Sequence, residues 1–237
     1  MAFWLCLAFA NALFAQKRWT VGAVFTPQYS TYYNAADFAQ ANTTPAPTFG
    51  VALGAAIDCT LGTHWHLASG INYSQQGQNY RSNPAIALRT NTYQRALEYL
   101  KIPILVGYHA ALTPHARWLV RAGLQADILT DAHYYRDGAV YGTYAEPNLS
   151  VAEKTLYQPA NIAAVAATGV HFFTDNHLYV SVLVKADYTL SPTIDNTTNT
   201  FWQQYSAVER LTQMTDERSA SHNTTVGLEL GVGYWFE

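Results

Sequence analysis

Seven charged residues stand out by the company they keep. Lys101, Arg117, Arg121, Asp127, Lys185, Asp187 and Glu229 each lie between apolar or aromatic neighbours, as in Leu100-Lys101-Ile102, Val120-Arg121-Ala122, Ala126-Asp127-Ile128 and Leu228-Glu229-Leu230. In an extended chain, successive side chains point to opposite faces. The spacing therefore puts every one of these charges on the face opposite the apolar set. Charges enclosed without partners are costly, so a paired network is expected. Folding the chain about residues 112–115 brings Lys101 opposite Asp127, which predicts a cross-strand ion pair. Lys185 and Glu229 fall at mid-height of adjacent segments and form a second expected pair. Such a network either fills and plugs an interior or conducts protons or ions through it. Filling is the simpler reading.

Other reactive side chains give weaker patterns. His64 and His66 share a face at i, i+2, a spacing that suits a transition metal. No carboxylate is spaced beside them, and a structural role for interfacial histidines is the better expectation. Asp131, His133, Asp137, Ser221 and His222 are the raw material for a lipid-modifying enzyme with loop-borne catalysis. No nucleophile elbow, phosphate loop or zinc-protease motif occurs. The sequence thus points to no catalytic residue, cofactor or metal.

Eight segments must position the charges. They run over about 18–29, 48–60, 64–76, 97–111, 116–130, 159–173, 177–190 and 224–236, each alternating in period two. The last is the clearest, with Val226, Leu228, Leu230, Val232, Tyr234 and Phe236 against Gly227, Glu229, Gly231 and Gly233. Each segment reaches the roughly 9–11 residues that a tilted strand needs to cross a bilayer. Connections alternate as well. Those near 61–63, 112–115 and 174–176 are short, whereas 30–47, 77–96, 131–158 and 191–223 are long and polar. Short turns at one end and long loops at the other are the pattern of bacterial outer-membrane barrels. The fold class expected is all-β, an eight-stranded antiparallel up-and-down transmembrane barrel with short periplasmic turns and four long outer loops.

Aromatic placement agrees with that frame. Trp19, Trp65 and Trp118 open segments at the short-turn end, and Tyr234 and Phe236 close the last one there. Amphipathic rings prefer membrane interfaces, so these five are expected at the lipid interface. A soluble lipocalin-like barrel would need the apolar face inside, which leaves the tryptophans and the long strands without a reason. Pro103 lacks a ladder donor and is expected at a bulge. A short helix is expected around 205–215, with Phe201 and Trp202 as contact residues on the fourth loop.

Composition sets outer limits. Only 12% of the 237 residues are charged, yet mean hydropathy is −0.07. Uncharged polar residues therefore offset the apolar ones. The net charge of −3 provides no basic footprint for nucleic acid. Residues 1–15 form an apolar run ending in Ala15, read as a signal peptide, with 16–237 as the barrel domain. The run is too short for a spanning helix. Cleavage leaves Cys59 alone, a small packing residue.

Two stretches carry a resemblance: Ser69-Gly70-Ile71-Asn72-Tyr73-Ser74-Gln75-Gln76-Gly77, and Tyr99-Leu100-Lys101-Ile102-Pro103-Ile104-Leu105-Val106-Gly107-Tyr108. They resemble the porin-like outer-membrane β-barrel family of Bacteroidetes-type bacteria, which includes PorT-type proteins. Gly-Val-Gly-Tyr at 231–234 fits the same family, while Lys101 stands where an acidic residue is common in it. The resemblance implies an outer-membrane barrel but no single activity. The function expected is a non-enzymatic barrel with a plugged polar lumen, termini in the periplasm, and surface loops for binding, adhesion or envelope structure. A small pore is the alternative, and a lipid-modifying barrel enzyme a less favoured one. Expected partners are outer-membrane lipids, the barrel-assembly machinery during insertion, and an extracellular ligand or envelope protein of unknown identity.

Overall fold

A computed structural model describes residues 17–33, 43–82, 92–136, 139–142, 157–193 and 221–236. It contains β1 (Lys17–Tyr33), β2 (Thr43–Leu61), β3 (Trp65–Ser82), β4 (Thr92–Thr113), β5 (Ala116–Arg136), β6 (Ala139–Gly142), β7 (Ala160–Phe173), β8 (Leu178–Thr189) and β9 (His222–Phe236). All neighbours pair antiparallel. The order β4-β3-β2-β1-β9-β8-β7-β5 closes through a β4–β5 pairing, and four-residue β6 hangs from the far end of β5. Eight strands thus form a closed barrel, with the seam between β1 and β9 running from Trp19 opposite Phe236 to Tyr33 opposite His222. Closure satisfies the backbone groups that a sheet edge would leave bare. Among the described residues no helix is long and apolar enough to cross a membrane.

The pleat sorts the side chains by face. Val120, Leu124, Val182 and Leu228 lie on the outside, whereas Arg121 and Glu229 are 5% and 3% exposed. The apolar set thus faces away from the barrel axis, as the alternation requires. Three tight turns join β2 to β3, β4 to β5 and β7 to β8. Gly62 takes the left-handed conformation (φ 73°) in the first, and His177 takes it (φ 62°) in the third. Glycine adopts this region without penalty, and histidine is among the side chains that tolerate it.

Several strands outrun the segments read from the sequence. β3, β4 and β5 have 18, 22 and 21 residues, about twice what a bilayer crossing needs. Much of what reads as loop, such as Gln78, Asn79 and Tyr80, continues the ladder to Tyr93 and Arg95. These residues are polar on both faces, so the apolar period vanishes while the strand persists. β7 and β8, with 14 and 12 residues, stop lower. Among the described residues the wall is tallest across β3–β5 and lowest across β7 and β8.

The bulge expected at Pro103 is absent. Pairing between β3 and β4 lapses opposite Pro103 but resumes in the same register, Ser69 with Ile104 and Asn72 with Lys101. Ser69 Oγ donates to the Pro103 carbonyl at 2.8 Å. The proline therefore costs a ladder bond without an extra residue. On the other side of β4 the register slips at Thr130, between the pairs Glu98–Asp131 and Tyr99–Leu129, and again near the turn, between Ala111 and Thr113. Leu129 and Ala132 are both buried, with two residues rather than one between them. Their alternation therefore slips by one position, which turns Asp131 and His133 to the outside. The expected helix near 205–215, with Phe201 and Trp202, lies outside the described residues.

Candidate functional site

The lumen is filled in layers. At the loop end, Tyr32, Leu97, Tyr99, Leu129, Ala132 and Tyr157 form an apolar cluster. Leu97 and Tyr99 are each 1% exposed. The sequence pattern missed this layer because it reserves large apolar side chains for the outer face.

Buried amides pack beside this cluster, with Gln76 opposite Leu97 and Ser74 opposite Tyr99 on the β3–β4 ladder and Asn223 opposite Tyr32 on the β1–β9 ladder. Gln28 Nε2 donates to Ser74 Oγ at 2.8 Å and to the Gln75 carbonyl at 3.0 Å. Gln76 Nε2 donates to Ser74 Oγ at 3.2 Å, and Asn223 Nδ2 donates to Gln76 Oε1. Ser30 Oγ donates to the Gly77 carbonyl at 3.0 Å and accepts from the Gly77 N–H at 2.7 Å. Side chains from β1, β3 and β9 are thus tied together across the interior. A buried amide is stable only with such partners.

The charge layer lies below. Lys101 does sit opposite Asp127 on paired strands. Its ammonium, however, reaches across the lumen to Asp187 Oδ2 on β8 at 2.9 Å. Asp127 instead accepts from Gln125 Nε2 at 2.7 Å. In a narrow barrel the tips of inward side chains from opposite walls meet near the axis. Neighbouring strands are not the only available partners. Arg121 of β5 binds Glu229 of β9, and its Nη1 stands 3.5 Å from Asp58 Oδ1 of β2. Lys185 Nζ donates to Glu229 Oε2 at 3.1 Å along a diagonal of the β8–β9 pair. Thr20 Oγ1 donates to Asp58 Oδ2 at 3.3 Å. Asp58 was readable as an inward charge of its segment, but nothing in the spacing linked it to Arg121.

Arg117 stands apart from this network. It is half-buried at the short-turn end, with its guanidinium 5.0 Å from the centre of the Phe173 ring. There the lumen opens into a cavity of about 340 Å³, whose walls include His66, His109, His171, Arg18 and Arg117. His64 does not join His66 inside. It is exposed and stacks on Tyr108.

The outer wall carries the aromatic residues. Trp65, Trp118, Tyr234 and Phe236 are exposed there, and Trp19 is half-buried. All five lie at the short-turn end. Trp65 meets Tyr108 edge-on at 5.7 Å. One polar cluster interrupts the outer face higher up. His133 Nε2 lies 3.4 Å from Asp131 Oδ2 and 3.8 Å from Glu98 Oε1. Of the loop residues with reactive side chains, Asp131 and His133 come together. Ser221 and His222 sit at the start of the last strand, and Asp137 lies outside the described residues.

The family model for the outer membrane protein beta-barrel domain matches residues 14–237. The chain belongs to that family. It is accordingly an outer-membrane β-barrel protein. No curated protein matches it. Among solved structures, Neisserial surface protein A of Neisseria is similar with a TM-score of 0.44 and 8% identity, over 90% of this chain and 97% of that one. Ail, the attachment invasion locus protein of Yersinia pestis, gives 0.40 and 8%, over 93% and 99%. The outer membrane protease OmpT from Escherichia coli gives 0.41 and 8%, over 94% and 97%. Likeness at this level transfers no activity to this barrel.

Proposed function

We propose that this barrel is a sealed, non-enzymatic element of the outer membrane whose loop end faces outward for binding, adhesion or envelope structure. One observation carries the reading: the inward side chains fill the lumen from the apolar cluster at Tyr99 down to the Arg121–Glu229 bridge. An eight-stranded barrel has room for side chains and little else. Purified protein in a planar bilayer is expected to give no conductance steps above background. Regular steps would replace this reading with the small-pore one.

Residues 1–15 act as the signal peptide in this reading, and the short turns and termini face the periplasm. Trp19, Trp65, Trp118, Tyr234 and Phe236 mark the lipid interface on that side. The lumen ion-pair network is structural, and the barrel-assembly machinery inserts the chain. An epitope inserted within 194–220 is expected to be labelled on intact cells, whereas one at Pro114 is not. The motifs around Gly70–Gly77 and Tyr99–Tyr108 favour PorT-type, Bacteroidetes-type membership.

The enzyme alternative rests on Glu98, Asp131 and His133, whose donor atoms lie within 4.8 Å of one another. A deletion strain lacking a lipid modification, rescued by the wild type but not by His133→Ala, would establish it. Equal lipid profiles in both strains remove it.

A further inference from the structure

The polar cluster on the outer wall is assembled by the slip in β5. Thr130 and Asp131 both stand between the inward residues Leu129 and Ala132, so Asp131 and His133 share the outer face with Glu98 of β4. Unbroken alternation would have sent both inward. A bulge is a device for re-aiming side chains in this way. Each piece of the cluster is held. Thr130 Oγ1 donates to the Glu98 carbonyl at 2.9 Å, which clamps the bulge to β4. The Ala132 N–H donates to Asp131 Oδ1 at 2.8 Å. The other oxygen, Oδ2, faces His133 Nε2 at 3.4 Å, and Glu98 Oε1 lies 3.8 Å from the same nitrogen. The Tyr73 hydroxyl of β3 donates to the Glu98 carboxylate. The side chains of Glu98, Asp131 and His133 are 20%, 29% and 20% exposed.

Charge and geometry together call for a cation. Glu98 and Asp131 are direct partners on the β4–β5 ladder, and like charges so placed repel. The next outward pair toward the short turns is apolar, Leu100 with Ile128, so the carboxylates border a surface that screens them poorly. A proton on His133 Nε2 balances one carboxylate. A divalent ion in its place balances both. Nitrogen and carboxylate donors at about 2.0–2.2 Å from a tetrahedral zinc ion stand roughly 3.3–3.6 Å apart. The separations of 3.4 and 3.8 Å are close to that, and all three donor atoms lie within 4.8 Å of one another. One imidazole with two carboxylates suits a zinc-like ion better than Mg²⁺ or Ca²⁺, which take oxygen donors. Ligating carboxylates are themselves usually hydrogen-bonded, as Ala132 and Tyr73 provide here.

We propose that Glu98, Asp131 and His133 bind one divalent transition-metal ion of the zinc class on the outer wall of the barrel. The site is separate from the sealing of the lumen, and it stands whether or not the barrel modifies lipid. The experiment is calorimetric titration of the folded barrel, without a polyhistidine tag and stripped with a chelator, in detergent micelles with Zn²⁺ and, separately, Mg²⁺. Saturable binding of one Zn²⁺ per chain is expected, with Mg²⁺ at least about ten-fold weaker. His133→Ala should weaken Zn²⁺ binding at least about ten-fold, the least that losing even a group behind a metal ligand typically costs. His64→Ala removes an exposed imidazole at the short-turn end, where it stacks on Tyr108, and should leave binding unchanged. Absence of saturable Zn²⁺ binding, an unaffected His133→Ala, equal loss in His64→Ala, or Mg²⁺ bound as tightly as Zn²⁺ overturns the proposal. If His133→Ala lacks the heat-modifiable migration of a folded barrel, Asp131→Asn carries the same test.

Discussion

Glu229→Gln is the sharpest test of the charge layer. Glu229 is buried and accepts from two cations, Arg121 and Lys185. With Asp58 the four side chains sum to zero charge. Replacing the carboxylate by an amide leaves one net positive charge enclosed, with Arg121 still 3.5 Å from Asp58 and Lys185 stripped of its ion pair. Removing one partner of a buried pair costs about 3–5 kcal/mol, against roughly 5–15 kcal/mol for a whole domain. With a urea dependence of about 2 kcal/mol per molar, the midpoint should fall by roughly 1.5–2.5 M. Urea titration of the barrel in lipid vesicles, read by tryptophan fluorescence and by heat-modifiable migration, measures it. Adding Lys185→Gln removes the stranded cation. The double variant should therefore be more stable than the sum of the two single losses, by about 1–3 kcal/mol. A Glu229→Gln loss within about 0.5 kcal/mol of zero, the range of surface substitutions, would refute enclosure. So would strict additivity.

The other expectations are simpler. Lys101→Met strands Asp187 and should cost about 3–5 kcal/mol in the same assay. Leu124→Arg, at mid-height on the lipid face, should cost about 2–4 kcal/mol, and Tyr29→Arg near the loop-end interface about 0–1 kcal/mol; equal costs would mean that no depth gradient exists. Gly107→Ala should destabilise by about 1–3 kcal/mol through overpacking, because a Cβ at that position would collide with the His66 imidazole. His66→Ala/Gly107→Ala should recover most of that loss, as measured by the urea midpoint.

The sequence exposed what the bilayer enforces. Val120, Leu124, Val182 and Leu228 could be assigned to the outer face because lipid requires an unbroken apolar band and the pleat supplies the period. The upper wall was illegible for the converse reason. Gln78 and Asn79 extend β3 where no solvent selects one face over the other. Register was readable locally, so Lys101 fell opposite Asp127. The bond to Asp187 depends on the barrel's cross-section, which one strand pair does not encode. Leu97 and Tyr99 share the face of Lys101 and turn inward with it, but their apolar type gave no reason to expect them in a polar lumen. The slip at Thr130 had no glycine or proline to announce it, whereas Pro103 announced a slip that did not occur.

The Lys101–Asp187 and Arg121–Glu229 contacts join residues 86 and 108 positions apart. Each crosses the lumen between strands that are not neighbours in the sheet, β4 with β8 and β5 with β9, so neither is held in place while the sheet is flat and open. A partly assembled intermediate would have to keep these groups wet or protonated. Sealing the seam and neutralising the interior are therefore one event, and the energy released there favours the complete cylinder over any shorter, unclosed sheet. The order of synthesis gives the first half of the chain no such reward until β9 arrives.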